Sequence, residues 1–384
     1  TSSLVGSEMC IRDSINSIVP YYVTGKVNGI GRTTLELIQA LARIKNLPFE
    51  VVLYSQNMKG IGGRNTGLPF KTKHLYLPHR EKIDKLLARF PIKECLTGYD
   101  IMHIPHNFEY VYSPGKCVVT LHDALFMKIQ EEAFGHEKMK QIVPPFMRQC
   151  KHIITCSESS RRDIVETMGI EPEKITVIYW GIKHDLFFPQ KDKLNIRDKL
   201  QSKFELSSPY FLSVSCNAER KRTDVLVRSY IALSREQTLS HDLVLVWGNP
   251  PLNLLKEVKN SSVATRIHFL KNISDGDLAL LYNGAGAMFF PSSYEGFGLP
   301  LLEAMACGVP VITCHNSSLD EIAGNAAIYL TEPLFDSLID VMGRLDQNTI
   351  DTEPFVENGI KRAAQFSWEK TAKETIGVYL DALK

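Results

Sequence analysis

Long apolar runs are missing from this chain of 384 residues. Nothing approaches the roughly 20 consecutive apolar residues that span a bilayer, so any membrane contact is expected to be peripheral. Residues 1–14, TSSLVGSEMCIRDS, lack the apolar core of a signal peptide. The eight cysteines form no C-x-x-C pair and no metal-ligand spacing with histidine, which reads as reduced thiols in an intracellular, cytoplasmic protein. An excess of one charge is also absent: 44 Lys+Arg stand against 43 Asp+Glu, which argues against nucleic acid as the main partner. No DxD-like acidic cluster lies at a strand end, so no metal cofactor is expected.

The length is too great for one ordinary core and implies two domains. Charge is spread unevenly, with 24 Lys+Arg against 19 Asp+Glu in residues 1–190. That bias would suit a peripheral meeting with an anionic membrane or a phosphorylated acceptor, although solvated surface is the commoner meaning. Residues 1–14 show neither helical nor strand period and read as a translated artefact or a disordered tail, with the native chain beginning near Ile15.

What the chain does contain, repeatedly, is strand, loop and helix. The clearest instance runs from Ala287 to Thr313. Ala287 to Phe290 suits a strand buried on both faces. Pro300 fits the first turn of a helix and Gly308 its C′ position, so Leu299 to Cys307 reads as a helix. Between them, Glu295, Gly296, Phe297 and Gly298 bring bare backbone to the carboxyl edge of a sheet, where a helix N-terminus attracts phosphate. Glu295 and Glu303 flank that anion site and could accept hydrogen bonds from sugar hydroxyls. A turn that serves packing alone, with Glu303 a solvated helix residue, is the other reading.

The first half opens with a strand expected over Ile15 to Val23, a glycine loop from Gly25 to Arg32, and a helix from about Thr33 to Ile44. A nicotinamide cofactor is a poor match. The loop lacks the third glycine of the dinucleotide fingerprint, and the next strand, Phe49 to Tyr54, ends at Ser55 without a ribose-binding acid. Asn57 to Gly67 is a polar, glycine-rich loop that could line an acceptor site. Two further strands lead to His106-Asn107 and to His122-Asp123 at one sheet edge. For His122 a structural role remains open. His184 to about Phe204 turns polar and is expected to be the hinge.

In the second half, strand Tyr210 to Val214 precedes Ser215 to Arg222, a loop carrying Arg220, Lys221 and Arg222. Such a triplet is either a solvated charge run or a phosphate grip at a strand's carboxyl end. The next strand, Leu243 to Trp247, ends at Gly248.

The Glu295-x7-Glu303 spacing within YEGFGLPLLEAMACGVPVI, together with SSLDEIAGNAA from Ser317, resembles the retaining glycosyltransferases of family 4. VVTLHDALF, SESSRRDIVE and KITVIYWGI resemble the same family, so the likeness spans nearly the whole chain from Ile15. It implies an α/β protein of two Rossmann-like domains facing across a cleft (the GT-B fold), residues 15–190 on the acceptor side and 191–365 binding the nucleotide sugar. Residues 366–384 would form a C-terminal helix returning to the first domain. By the same resemblance Glu295 holds the donor sugar, Glu303 the ribose, and Lys221 with the Gly296–Gly298 amides and Leu299 the diphosphate. Lys271, Asn272 and Ile273 would hold the base, with Gly248 nearby. His122 would lie beside the donor sugar, with Asp123 supporting it or the acceptor, and Gly29, Gly31 and Arg32 would be acceptor-side contacts, although Arg32 also reads as ordinary surface.

One departure stands out. The family commonly has an arginine five residues before its phosphate lysine, and this chain has Cys216 there, so Arg220 is the substitute. The resemblance implies transfer of a hexose, with mannose from GDP-mannose slightly favoured, to a glycan or lipid-linked acceptor. A non-catalytic sugar-nucleotide binder and a sugar phosphorylase or epimerase are the alternatives.

Overall fold

The computed structural model describes residues 9–19, 29–61, 67–129 and 136–384. Residues 1–8, the 20–23 end of the expected first strand, the start of the glycine loop and residues 62–66 of the expected acceptor loop lie outside these. The chain divides into two compact units: Thr1–Gly181 with Trp368–Lys384, and Ile182–Ser367.

The first unit is built on a seven-stranded parallel sheet in the order β3-β2-β1-β4-β5-β6-β7. Its strands are β1 Cys10–Ser14, β2 Glu50–Gln56, β3 Lys71–Leu75, β4 Ile101–Ile104, β5 Cys117–Thr120, β6 His152–Thr155 and β7 Ile175–Val177. Central strands such as β4 and β5 are buried at every residue, as parallel strands covered on both faces must be. Edge strand β3 (KTKHL) keeps alternate residues exposed, with two lysines that discourage further pairing.

Three expectations fail here. Residues 10–14 are not a tail: they form β1, in register with β2 (Ile11 beside Val51) and β4 (Ile11 beside Ile101). Ile15 to Ile18, expected as strand, is instead a short 3-10 turn. The strand was hidden because its buried residues include Arg12 and Asp13, which break any apolar period. Arg12 donates to the Gly98 carbonyl, and Asp13 Oδ2 lies 3.1 Å from His103 Nδ1. Gly29, Gly31 and Arg32 belong to helix Gly29–Arg43 rather than to a loop.

The second unit carries a six-stranded parallel sheet, β10-β9-β8-β11-β12-β13. These strands are β8 Tyr210–Val214, β9 Asp242–Val246, β10 Ile267–Leu270, β11 Ala287–Phe290, β12 Val311–Cys314 and β13 Ala327–Leu330. The polar stretch expected as a hinge is mostly helix Lys193–Phe204, capped by Asp192, whose side chain accepts from Asn195 N. Ile196 and Leu200 face inward against helix Asp275–Gly284. Gly284 permits that approach, since a Cβ there would meet the Tyr210 hydroxyl at 2.8 Å. Residues 187–190 also join this unit: Phe187 packs edge-on to Tyr282, and Asn283 Oδ1 accepts from Gln190 N at 2.7 Å. Their chemistry is anchored by apolar and amide contacts that composition did not reveal. Among the described residues no helix is long and apolar enough to cross a membrane.

The final helix, Trp368–Leu383, belongs to the first unit. Tyr379 is fully buried, with its ring 5.8 Å from Phe49 and 5.4 Å from His103, and its hydroxyl 3.4 Å from Asp13 Oδ2. At the helix start, Thr371 Oγ1 donates to the Tyr179 carbonyl at 2.7 Å. Truncating a core aromatic costs about 3–5 kcal/mol, so Tyr379→Ala should destabilise the first unit by that amount and Tyr379→Phe by about 1 kcal/mol. Urea unfolding followed by Trp180 and Trp368 fluorescence measures both; a loss under about 1 kcal/mol for the alanine variant would place the helix anchor elsewhere.

Candidate functional site

In each sheet the strand order reverses beside its first strand, and loops leaving the two flanking strands diverge there to open a crevice at the carboxyl edge. In the second unit the reversal lies between β8 and β11. The loop after β8 carries Arg220 and Lys221; the loop after β11 carries Glu295 to Gly298. Topology therefore brings the basic pair and the glycine loop together, though they are far apart in sequence.

The contacts are direct. Arg220 Nη1 donates to Glu295 Oε1 at 2.8 Å, and Lys221 Nζ lies 2.7 Å from the same oxygen. Lys221 Nζ also sits 4.5 Å above the Phe290 ring centre, a cation over an aromatic face. Backbone bonds reinforce the junction: the Arg220 carbonyl accepts from Ser293 N at 2.7 Å, and Arg220 Nη1 donates to the Tyr294 carbonyl at 2.8 Å. Burial pushes the Glu295 carboxyl upward, but the attraction of Lys221 and then Arg220 outweighs it and holds the group below the ordinary carboxylate value. Glu295 is thus ionised at neutral pH.

Gly298 sets the start of helix Leu299–Ala306. Its φ of +104° suits glycine, and an added Cβ would come within 3.2 Å of Leu319 Cδ2. It occupies the N-cap without a capping side chain, and Pro300 follows in the first turn. Phe297 is buried edge-on to Phe366, 6.0 Å between ring centres, so the loop has an apolar anchor. Glu303 lies one turn further along the helix and is almost fully buried, its Oε2 accepting from the Tyr282 hydroxyl at 3.3 Å. Gly248 forms an exposed turn after β9, while Lys271, Asn272 and Ile273 turn out of neighbouring β10 with Asn272 at φ +57°.

Sequence reasoning missed a third loop, His315–Ser318, after β12. Ser317 Oγ accepts from Glu295 N at 2.9 Å. Ser318 Oγ reaches the carbonyls of Glu295 at 2.9 Å and Phe297 at 3.0 Å, and Asn316 Nδ2 donates to the Ser292 carbonyl at 3.0 Å. The run Asn316-Ser317-Ser318, rich in side chains that bond backbone, was the available signal. The basic triplet also separates. Arg222 turns away at φ +49° and pairs with Glu332 at 2.9 Å, while Cys216 is an exposed thiol.

In the first unit the reversal lies between β1 and β4. Glu109, nearly fully buried and not singled out by any motif, accepts from Ser14 Oγ at 2.9 Å and Asn16 Nδ2 at 3.2 Å, with His106 Nε2 3.8 Å away. His122 follows β5. Its Nε2 lies 3.1 Å from the Pro105 carbonyl and its ring 5.5 Å from Trp180. Its own carbonyl accepts from Cys156 Sγ and Ser160 Oγ at 3.0 and 3.2 Å, which fixes the loop. Burial pushes its pKa down to about 4, more than the Pro105 carbonyl restores. Asp123 Oδ1 accepts from Leu125 N at 3.0 Å, bracing the start of helix Leu125–Lys128. Gly31 is buried and Arg32 half-buried on the first turn of Gly29–Arg43, while Gly29 is exposed at its start.

Two sequence profiles divide the chain between them: Glycosyltransferase Family 4 matches residues 27–186 and Glycosyl transferases group 1 matches residues 195–362. The chain belongs to the group 1/family 4 glycosyltransferases. The transferase is 28% identical over 385 residues to O-antigen chain mannosyltransferase B of Escherichia coli, covering 92% of this chain and 96% of that protein. It is 29% identical over 256 residues to the MMP alpha-(1->4)-mannosyltransferase of Mycolicibacterium hassiacum, a match spanning 65% of this chain but only 58% of that one. Sucrose-phosphate synthase of Thermosynechococcus elongatus superposes with a TM-score of 0.73 at 19% identity, covering 97% of this chain and 98% of that structure, a likeness of fold alone. The transferase thus has the GT-B fold.

Two pH dependences follow. The folded-state pKa of Glu295 is depressed, so its stabilising effect is present above the ordinary carboxylate range and is lost as pH falls through its folded value. Glu295→Gln should cost about 1.5–3 kcal/mol near pH 7, with the gap from wild type closing only as pH falls below the ordinary carboxylate range, through the depressed folded value. Urea unfolding from pH 7 to 3 checks this; a gap that does not change with pH would detach Glu295 from the two cations. For His122 the depressed value means that stability is complete above its ordinary pKa and declines as pH falls towards about 4. NMR titration should find a neutral imidazole at pH 6, and a midpoint near 6.5 would contradict the burial argument.

Proposed function

We propose that the transferase moves a hexose, mannose first, from a nucleotide-diphosphate sugar to a hydroxyl of a glycan or lipid-linked acceptor, with retention of the anomeric configuration. GDP-mannose is the favoured donor, because the relatives of Escherichia coli and Mycolicibacterium hassiacum are named as mannosyltransferases. The carrying observation is the convergence of Arg220 and Lys221 on Glu295 beside a helix start without a capping side chain.

That arrangement suits a diphosphate. Two cations and the positive end of a helix face a group whose negative charge grows as the sugar leaves. Glu295, which pairs with both cations, would turn a carboxylate oxygen to the sugar hydroxyls once phosphate oxygens take its place on them. Glu303 would accept from ribose hydroxyls, with Tyr282 holding its other side. The turn at Lys271–Ile273 supplies backbone groups for the base, with Gly248 on the adjacent strand end. The acceptor would bind the first unit near His122, Asp123 and the start of Gly29–Arg43.

Retention follows if the acceptor hydroxyl attacks the face from which the diphosphate departs. The C1–oxygen bond to the diphosphate breaks as the C1–oxygen bond to the acceptor forms, and the acceptor proton passes to the adjacent leaving oxygen. His122, neutral at physiological pH, brings no positive charge to the acceptor side. No metal is needed in this scheme, because Arg220, Lys221 and the helix terminus neutralise the leaving group.

Arg220→Ala and Lys221→Ala should each reduce kcat about 10- to 150-fold, the equivalent of a charge-assisted bond of about 1.5–3 kcal/mol that tightens in the transition state. Cys216→Ser and Arg222→Ala should stay near wild type. Transfer from GDP-mannose in EDTA, with the product's anomeric proton read by NMR, tests the whole scheme. Equal small losses at Arg220, Lys221 and Arg222 would reduce the triplet to solvated surface, and an inverted product or complete loss in EDTA restored by Mg²⁺ would overturn the mechanism. Donor binding without turnover on any acceptor would instead favour a sugar-nucleotide binding protein.

A further inference from the structure

The chain leaves the first unit at Gly181 and re-enters it at Trp368, and the tryptophans beside these two crossings are stacked. Trp180 and Trp368 have ring centres 6.1 Å apart and planes 19° from parallel, and both are buried. The backbone around them is fixed. Thr371 Oγ1 donates to the Tyr179 carbonyl at 2.7 Å, Ile182 forms a parallel bridge with Ser367, and His184 Nε2 donates to the Phe366 carbonyl at 2.9 Å. The Trp180 indole is thereby held just beyond β7 by groups from the far end of the sequence.

Trp180 also meets His122, their ring centres 5.5 Å apart and their planes inclined at 50°. It reaches past β6 to do so, because β6 lies between β5 and β7 in the sheet. The loop after β6 fixes the main chain of His122 through Cys156 and Ser160, so what remains to be set is the ring. At Nε2 the Pro105 carbonyl can only accept, so that nitrogen carries the proton, and in the neutral imidazole Nδ1 is the nitrogen left to accept. One hydrogen bond would let a half-buried ring pivot about it. An aromatic plane against the ring removes that freedom.

The indole acts on the charge of the ring in two opposed ways: its π face attracts an imidazolium, while the water it displaces would have favoured one. Burial is the largest cause of the low pKa of His122, and the titratable neighbours on the β4 side, His106 and His103, add to it. Displacement of water therefore outweighs attraction to the inclined ring.

We propose that Trp180 is the positioning residue of His122, holding the imidazole in one orientation with Nδ1 presented as a hydrogen-bond acceptor to a hydroxyl of the transferred sugar. The part played in transfer rests on the reaction proposed above; the hold of Trp180 on His122 does not.

The test combines NMR titration of the histidines in the full chain with transfer kinetics. In the wild-type chain a nuclear Overhauser effect between the His122 and Trp180 ring protons is expected. Trp180→Leu and Trp180→Met exchange the indole plane for flexible apolar groups, and whichever folds can be read. The His122 midpoint should rise from about 4 to above about 5. The kcat should fall about tenfold, with KM for the donor within about twofold of wild type. Trp180→Phe, which keeps an aromatic plane, should restore most of both. In a His122→Ala background Trp180→Leu should bring no further loss of kcat, because the two residues act as one unit. Absence of the Overhauser effect, a midpoint that stays near 4 or falls on loss of the indole, or kcat losses that add in the double variant would overturn the proposal and leave Trp180 as packing. Lack of transfer by the wild-type chain would count against the reaction proposed above, while the titration still decides whether Trp180 holds His122.

Discussion

One carboxylate oxygen, Glu295 Oε1, holds both Arg220 and Lys221 within 2.8 Å, and the second unit's functional edge is arranged around that contact. Each cation comes from the loop after β8 and the carboxylate from the loop after β11, so the ion pairs lock the two loops that border the strand-order reversal. Ser317 and Ser318 then fasten the Glu295 backbone to the loop after β12. Three successive strand ends are joined. Side chains about one-fifth exposed or less strengthen the attraction, because partial removal from water weakens screening.

The same contact explains how two cations can sit side by side in a partly buried loop. Two adjacent positive groups would repel each other and oppose folding, and Glu295 offsets that repulsion. On the proposed reading, a diphosphate, with several oxygens where Glu295 presents one, would replace the carboxylate on the cations and leave Glu295 to polar groups of the donor. Arg222 shows the other fate of a basic residue in this loop. Its backbone takes a left-handed conformation at the start of helix Thr223–Glu236, and its side chain is carried to Glu332.

In the first unit the equivalent edge is organised by burial more than by charge. His122 is kept neutral by its surroundings and oriented by the Pro105 carbonyl, while Glu109 gathers Ser14 and Asn16 from the end of β1. Beneath this edge, Asp13 and His103 are tied to Tyr379 of the last helix. A polar pair inside a parallel sheet is tolerated because each member is bonded, His103 Nε2 reaching Thr120 Oγ1 at 2.9 Å.

Much of the second unit was legible in the sequence. Tyr210–Val214 and Ala287–Phe290 read as strands because doubly covered parallel strands are short, continuous apolar runs, and Pro300 and Gly308 marked the helix between them by backbone geometry alone. The family's spacing of Glu295 and Glu303 was likewise a local pattern. Elements whose burial depends on distant partners were not legible. β1 carries Arg12 and Asp13 inside because Gly98 and His103 are there to receive them, and Lys193–Phe204 looked like a linker because only Ile196 and Leu200 of its residues are buried. The sequence by itself determined the alternation of strand and helix, the glycine loop and the residue types able to hold a diphosphate, since these follow from local periodicity and conformational preference. Tertiary structure alone decided that Arg220 and Lys221 share Glu295 while Arg222 does not, because strand order, not sequence distance, chooses which loops meet.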